Sequence, residues 1–243
     1  MDFLRVILIY ILLLGQRCCP SCPRRPKPKC PPVEKTWQFD FRNGNQGVFM
    51  GGTDIVDNAD GTISVFGTAH TWFNGRKLVW PRCGFYTAAE LWLNPGDLEE
   101  GEFFTWSSSI NNTEGDYLAE MFTNVRKLNG QLRVCSNNYG SSPQLNLNCA
   151  QSENAGVICK PGFYTVVTRY FERQGFLYSR AAVLDSKCNI IYQSRAYRLY
   201  HLSEGHWTPI PIGLAGGHGY GWFSQNAFLE GIKIKSIWIA ERH

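Results

Sequence analysis

The residues best suited to chemistry lie in Gly216-Gly-His-Gly-Tyr-Gly-Trp-Phe223, where His218, Tyr220 and Trp222 alternate with glycines. Glycine lets a backbone reach φ > 0 and approach a ligand closely, at an entropic cost of up to about 1 kcal/mol each. Flat rings on a slim backbone suit a flat ligand. A sugar offers apolar C–H faces to Trp and Tyr and hydroxyls to Asn, Asp and Arg. The same pattern also fits a tight, aromatic-plugged loop between two strands. A second group, Arg133, Asn137 and Asn138, stands at the end of a strand-like stretch, and Tyr164 and Arg169 stand on another. A cation or amide can neutralise a uronate carboxylate, while a Tyr or His removes the neighbouring proton and returns one to the leaving oxygen. On that chemistry His218, Tyr220 and Arg133 form the catalytic set. Trp222, Tyr220, His218, Asn137, Asn138, Arg133 and Tyr164 form the set for simple binding. The structural alternatives are a solvated strand face for Arg133 and Arg169, and turn capping for Asn137 and Asn138. His70, Trp72 and Trp80 flank Asn74-Gly-Arg-Lys77 and are candidates for the rim of the same face. His201 and His206 have no metal-binding spacing and read as loop residues.

These groups need a scaffold, and the chain patterns it as strands. Trp37, Phe39 and Phe41 alternate with Gln38, Asp40 and Arg42, a half-buried strand signature. Similar runs cover 62–66, 84–93, 103–110, 117–125, 131–135, 163–171, 176–184, 190–197 and 232–240. Turn chemistry separates them, as at Asn129-Gly130, Arg173-Gln-Gly175 and Glu230-Gly231. About ten short strands without a helix predict an all-β antiparallel sandwich or jelly roll. The polar segment 136–156 lacks strand periodicity.

Of the 243 residues, 44% are apolar and 14% aromatic, which suits one globular domain of sandwich size. Residues 1–36 hold seven of the 24 basic and two of the 20 acidic residues, so the remainder, at −1, is near neutral. That excludes the clustered basic footprint of a nucleic-acid groove. Residues 1–17 contain an apolar run of ten residues ending at Gly15, which predicts a signal peptide or a signal anchor and a secreted or surface location. Residues 18–35 form a Cys/Pro-rich basic spacer of polyproline II type. Its Cys18, Cys19, Cys22 and Cys30 suit interchain disulfides and a linked oligomer. The domain proper spans 36–243.

Five further cysteines, Cys83, Cys135, Cys149, Cys159 and Cys188, fall within it. In an oxidising compartment disulfides are expected, and Cys135, Cys149 and Cys159 bracket the polar segment. A loop of roughly 15 residues closed there is worth about 3 kcal/mol in the chain-entropy view. The odd number leaves at least one thiol free or intermolecular. Asn111-Asn-Thr113 is a glycosylation sequon at Asn111, suited to a surface loop. No carboxylate cluster has calcium-loop spacing, so no metal and no cofactor is expected; a structural calcium has no signal.

From about Thr36 to Ala240 the chain resembles a concanavalin A-like jelly-roll domain, the superfamily of lectins, β-glucanases and polysaccharide lyases. More narrowly it resembles a group of uncharacterised secreted bacterial proteins of that architecture. The stretches that carry the resemblance are Asn94-Pro-Gly-Asp97, Glu100-Gly-Glu-Phe-Phe104, Gly115-Asp-Tyr-Leu118, Ser136-Asn-Asn138, Gly162-Phe-Tyr-Thr165 and Gly216 to Phe223. It implies pairing of the first and last strands and says little of activity. Laminarinase-type glucanases set paired carboxylates about 5–5.5 Å apart on one strand face. Here Glu114-Gly-Asp-Tyr-Leu-Ala-Glu120 is the nearest match, its last interval is too long, and its acids are expected at a solvated hairpin tip. The alginate-lyase motifs are absent. The expectation is a carbohydrate-binding, lectin-like protein. A uronate polysaccharide lyase is the enzymatic alternative, and a structural surface protein oligomerised through the spacer is the third.

Overall fold

A computed structural model describes residues 36–49, 54–66, 69–71, 84–111, 117–139, 155–201, 222–225 and 231–241. Fifteen strands are described: β1 (Thr36–Asp40), β2 (Asp54–Asp57), β3 (Ile63–Phe66), β4 (Ala69–His70), β5 (Phe85–Leu93), β6 (Phe103–Asn111), β7 (Tyr117–Leu128), β8 (Gln131–Tyr139), β9 (Gly156–Ile158), β10 (Gly162–Arg173), β11 (Phe176–Leu184), β12 (Ile190–Gln193), β13 (Tyr197–His201), β14 (Trp222–Gln225) and β15 (Ile232–Glu241). Every pairing is antiparallel. One sheet of nine strands runs β12-β11-β10-β5-β15-β3-β2, with β1 also on β15 and β13 also on β11. The other sheet runs β4-β14-β6-β7-β8-β9.

The first and last strands pair, Thr36 opposite Ala240 through Asp40 opposite Ser236. The first strand stops at Asp40, short of the predicted Arg42. The Asp40 carboxylate accepts from the Arg42 backbone N–H at 3.1 Å, and a 3-10 turn buries Phe41. The predicted strand over 190–197 is two strands, β12 and β13. The loop between them is set by Ser194, whose N–H bonds the Ala181 carbonyl and whose hydroxyl accepts from the Ala181 N–H. In the β7–β8 and β10–β11 hairpins both turn residues have positive φ, Asn129-Gly130 and Gln174-Gly175, which matches the twist of the flanking strands.

The core lies between the sheets. Phe104 and Trp106 of β6, Met121 and Val125 of β7, and Leu132 and Val134 of β8 face Leu91, Val166, Tyr170, Val183 and Ile234 of the other sheet. In β15 the apolar positions switch phase, from Ile232 and Ile234 to Ile237 and Ile239. A register shift between Ile234 and Ser236 keeps all four inward. Thr87 donates to Ser108 across the core at 2.9 Å, and Tyr197 donates to the Ser136 carbonyl at 2.7 Å. These bonds fix one sheet against the other. Each sheet therefore has one face on the core and one turned away, and the candidate groups divide among these faces.

Candidate functional site

Directly opposed residues on neighbouring strands share a face, so the register lays out the outer face of the six-stranded sheet in rows. One row holds Phe103, Arg126, Arg133 and Val157; the next holds Thr105, Asn124 and Cys135. A third begins with His70 opposite Trp222 on β4 and β14. Because Phe223 is level with Trp106, Trp222 falls level with Ser107, and that row continues through Phe122 to Asn137. Trp222 and Asn137 thus occupy register positions on one face. They are three strand spacings apart, about 14 Å.

A polar ladder crosses this face. The Thr105 hydroxyl donates to Asn124 Oδ1 at 2.8 Å, and Asn124 Nδ2 donates to Asn137 Oδ1 at 3.2 Å. Thr105 and Asn124 are buried, so the ladder is shielded from water and holds the Asn137 amide with its carbonyl toward Asn124. Asn137 and Arg133 are half-buried, as are Phe103 and Arg126, whereas Ser107, Phe122 and Cys135 on the same face are buried. Arg126, opposite Arg133, sends its Nε to the Gly101 carbonyl at 3.1 Å. Glu120 belongs to the same face and is only 3% exposed. That overturns the solvated hairpin tip expected for it: β7 starts at Tyr117 and carries Glu120 inside the sheet, opposite Ser109 and Tyr139.

Several expected site residues lie elsewhere. Asn138 follows Asn137 within β8 and so takes the opposite face; it is 5% exposed, opposite Met121 and in phase with Leu132 and Val134. Neither Asn caps a turn, because β8 runs on to Tyr139. Tyr164 is in the core of the other sheet, its hydroxyl donating to the Lys160 carbonyl at 2.9 Å. Burial, then the charges of Asp185 and Cys159, push its phenol pKa up. Tyr164 therefore cannot join Arg133 on a ligand. Arg169 lies on the outer face of the nine-stranded sheet, opposite Tyr86 and Arg180, on the far side of the sandwich from Arg133.

Cys159 is a free, exposed thiol rather than a partner for Cys135. It stands one step past the Ile158–Leu132 pair, level with Gln131, about 13 Å along the strand from Cys135. A disulfide needs Cα atoms within about 7 Å. Cys188 is also free, whereas Cys135 is disulfide-bonded to a cysteine outside the described residues. His218, Tyr220, Cys149 and Cys83 lie outside the described residues, as do Trp72, Trp80, His206, residues 1–17 and the spacer. Asn111 ends β6 instead of sitting in a loop, opposite Tyr117. The ladder residues Thr105 and Asn124 carried a signal in sequence: polar Thr105, Ser107 and Ser109 alternate with Phe104 and Trp106. Among the described residues, no three His, Cys, Asp or Glu side chains are placed to hold a metal ion.

No protein-family model and no curated protein sequence matches the chain. Solved structures do. Peanut lectin with a 9mer peptide aligns with 86% of this chain and 98% of its own at 9% identity and TM-score 0.49. A lectin from Bauhinia forficata in complex with GalNAc aligns with 86% and 98% at 10% identity and TM-score 0.45. A legume lectin-like domain from Entamoeba histolytica aligns with 80% and 89% at 8% identity and TM-score 0.40. The fold is a two-sheet antiparallel β-sandwich in which the first and last described strands pair.

Proposed function

We propose that the protein is a carbohydrate-binding, lectin-like sandwich whose glycan lies on the outer face of the six-stranded sheet. The observation that carries this is the row with Trp222 at one end and Asn137, oriented by the Thr105–Asn124 ladder, at the other. Covalent geometry keeps Tyr220 within about 8 Å and His218 within about 15 Å of Trp222 along the chain. Ser107 and Phe122, between Trp222 and Asn137, are buried, so the sugar reaches this face where Asn137 and Arg133 are half-buried. Arg133, on the next strand-mate position but one, adds a donor for hydroxyls or a carboxylate. On a glycan array, Asn137→Ala and Trp222→Ala each lower binding at least tenfold while circular dichroism stays native. Unchanged binding by both variants overturns the site, and loss of fold by Trp222→Ala assigns that residue to structure.

The lyase reading draws on one observation, that Arg133 and Asn137 share a face, a half-buried cation four residues along β8 from an amide. Its base and acid would be His218 and Tyr220. Incubation with polyuronates would then give unsaturated, ultraviolet-absorbing products that Tyr220→Phe abolishes. The remaining parts of the proposal rest on sequence: export by the segment 1–17, a glycan on Asn111, and linkage of copies through Cys18, Cys19, Cys22 and Cys30.

A further inference from the structure

The outer face of the nine-stranded sheet carries a second patterned surface that the glycan site does not use. On β10 and β11 the register sets Arg173 opposite Phe176, Phe171 opposite Tyr178 and Arg169 opposite Arg180. Phe171 and Tyr178 stack, with centroids 5.7 Å apart and planes 20° from parallel. The Arg169 guanidinium lies 4.7 Å from the Phe171 centroid, and that of Arg198 on β13 lies 4.8 Å from Phe176. A flat ring floor is thus bordered by guanidinium groups: Arg169 and Arg180 about 7 Å along the strands from the stacked rings, Arg173 as far the other way, and Arg198 level with Tyr178. Phe171 and Tyr178 are half-buried and Arg173 and Arg198 exposed, so the surface is within reach of a ligand.

Three of these guanidinium groups stand outside the described ion pairs. The described ion pairs join Arg42 to Asp40, Lys233 to Asp60 and Lys235 to Glu90, and none involves Arg173, Arg180 or Arg198. Arg180 is half-buried, and its Nε has no hydrogen-bond partner among the described residues. Burial, then the nearby charge of Arg173, lower its pKa. Like charges directly opposed on neighbouring strands destabilise a sheet, and a desolvated cation without an acceptor is costly. A folding requirement would place an apolar or small residue at Arg180. A concentration of such local costs marks a functional surface.

We propose that this Arg-flanked aromatic floor binds the carboxylate or sulfate groups of an acidic polysaccharide. Guanidinium recognises either oxyanion through paired N–H donors, and the stacked rings take the apolar face of the sugar that bears it. This surface is independent of the glycan site on the opposite sheet. The test measures affinity of the full chain for heparin, for polygalacturonate and for single-stranded DNA, in the wild type and in Arg180→Gln and Arg180→Gln/Arg198→Gln. The expected result is binding of at least one of the two polysaccharides, weakened tenfold or more in the double variant, with DNA bound at least tenfold more weakly than that polysaccharide. Which polysaccharide binds distinguishes sulfate from carboxylate. The melting temperature of Arg180→Gln equals or exceeds that of the wild type, because an uncompensated charge is removed. Equal affinity of wild type and double variant overturns the proposal, since the basic spacer is intact in both. So does DNA binding as tight as that of the better polysaccharide, which is plain ion exchange.

Discussion

Asn124 accepts from Thr105 with its carbonyl and donates to Asn137 with its amide, so one side chain sets the direction of the next across three strands. Thr105→Val keeps the shape and removes the first donor. The buried Asn124 carbonyl then loses that bond, at roughly 1–2 kcal/mol of stability, measurable as a lower urea midpoint with unchanged slope. Glycan affinity falls as well, by several-fold, because Asn137 is no longer held in one orientation. A stability loss with full affinity would show that the ladder is only structural. Single residues were also where sequence was hardest to read. Asn137 and Asn138 are adjacent and chemically identical, and only the phase of β8 separates a surface amide from an interior one. Part of the family-like pattern proves to be scaffolding. Asn94 caps a 3-10 turn by accepting from the Gly96 N–H at 2.9 Å. Glu100 clasps the β7–β8 turn through the N–H groups of Asn129 and Gly130 at 2.6 and 3.2 Å.

At the scale of elements, legibility followed strand length. Long alternating strands such as β5 and β11 have enough repeats for the two-residue period to stand out. Of the six strands with four residues or fewer, β3 and β12 fall within predicted runs and β2, β4, β9 and β14 do not; β4, β9 and β14 pair with strands distant in sequence, β2 with the adjacent β3. One of these short strands joins the two sheets. A Cβ on Gly156 of β9 would lie 2.6 Å from the Tyr192 Cβ and 2.8 Å from the Ile191 carbonyl oxygen, so the sheet edges meet there with no room to spare. At this junction burial pushes the Tyr192 phenol up to about 12 from the ordinary value near 10. The neutral phenol is favoured in the folded state. Its contribution is therefore fully present below pH 10 and is lost as pH rises toward and past 12. The shift of about two units corresponds to roughly 2–3 kcal/mol. Tyr192→Phe removes that part of the alkaline loss, so its unfolding free energy falls less steeply than that of the wild type between pH 10 and 12. Parallel profiles would show that Tyr192 ionises as easily folded as unfolded.

Over the whole molecule, basic charge is concentrated at one end of the chain. The body is near neutral at −1, the spacer is basic, and β1 begins at Thr36, directly after the spacer. Cys30 is six residues from Thr36, so a disulfide there holds each sandwich within about 20 Å of the linkage. Two sandwiches joined in this way present two six-stranded faces to one polymer. Once the first face is bound, the second binds at the effective concentration set by that short tether, which raises overall affinity by 10²–10⁴ in comparable bivalent systems, roughly speaking. The expected outcome is a linked species on non-reducing gels that mild reduction converts to monomer. Apparent affinity for an immobilised, many-site glycan then falls at least about 100-fold, while affinity for a short soluble oligosaccharide in solution is unchanged. Replacing Cys18, Cys19, Cys22 and Cys30 by Ser reproduces the reduced behaviour without reductant. A chain that migrates as a monomer under both conditions, with equal affinity for polymer and oligosaccharide, overturns linkage through the spacer.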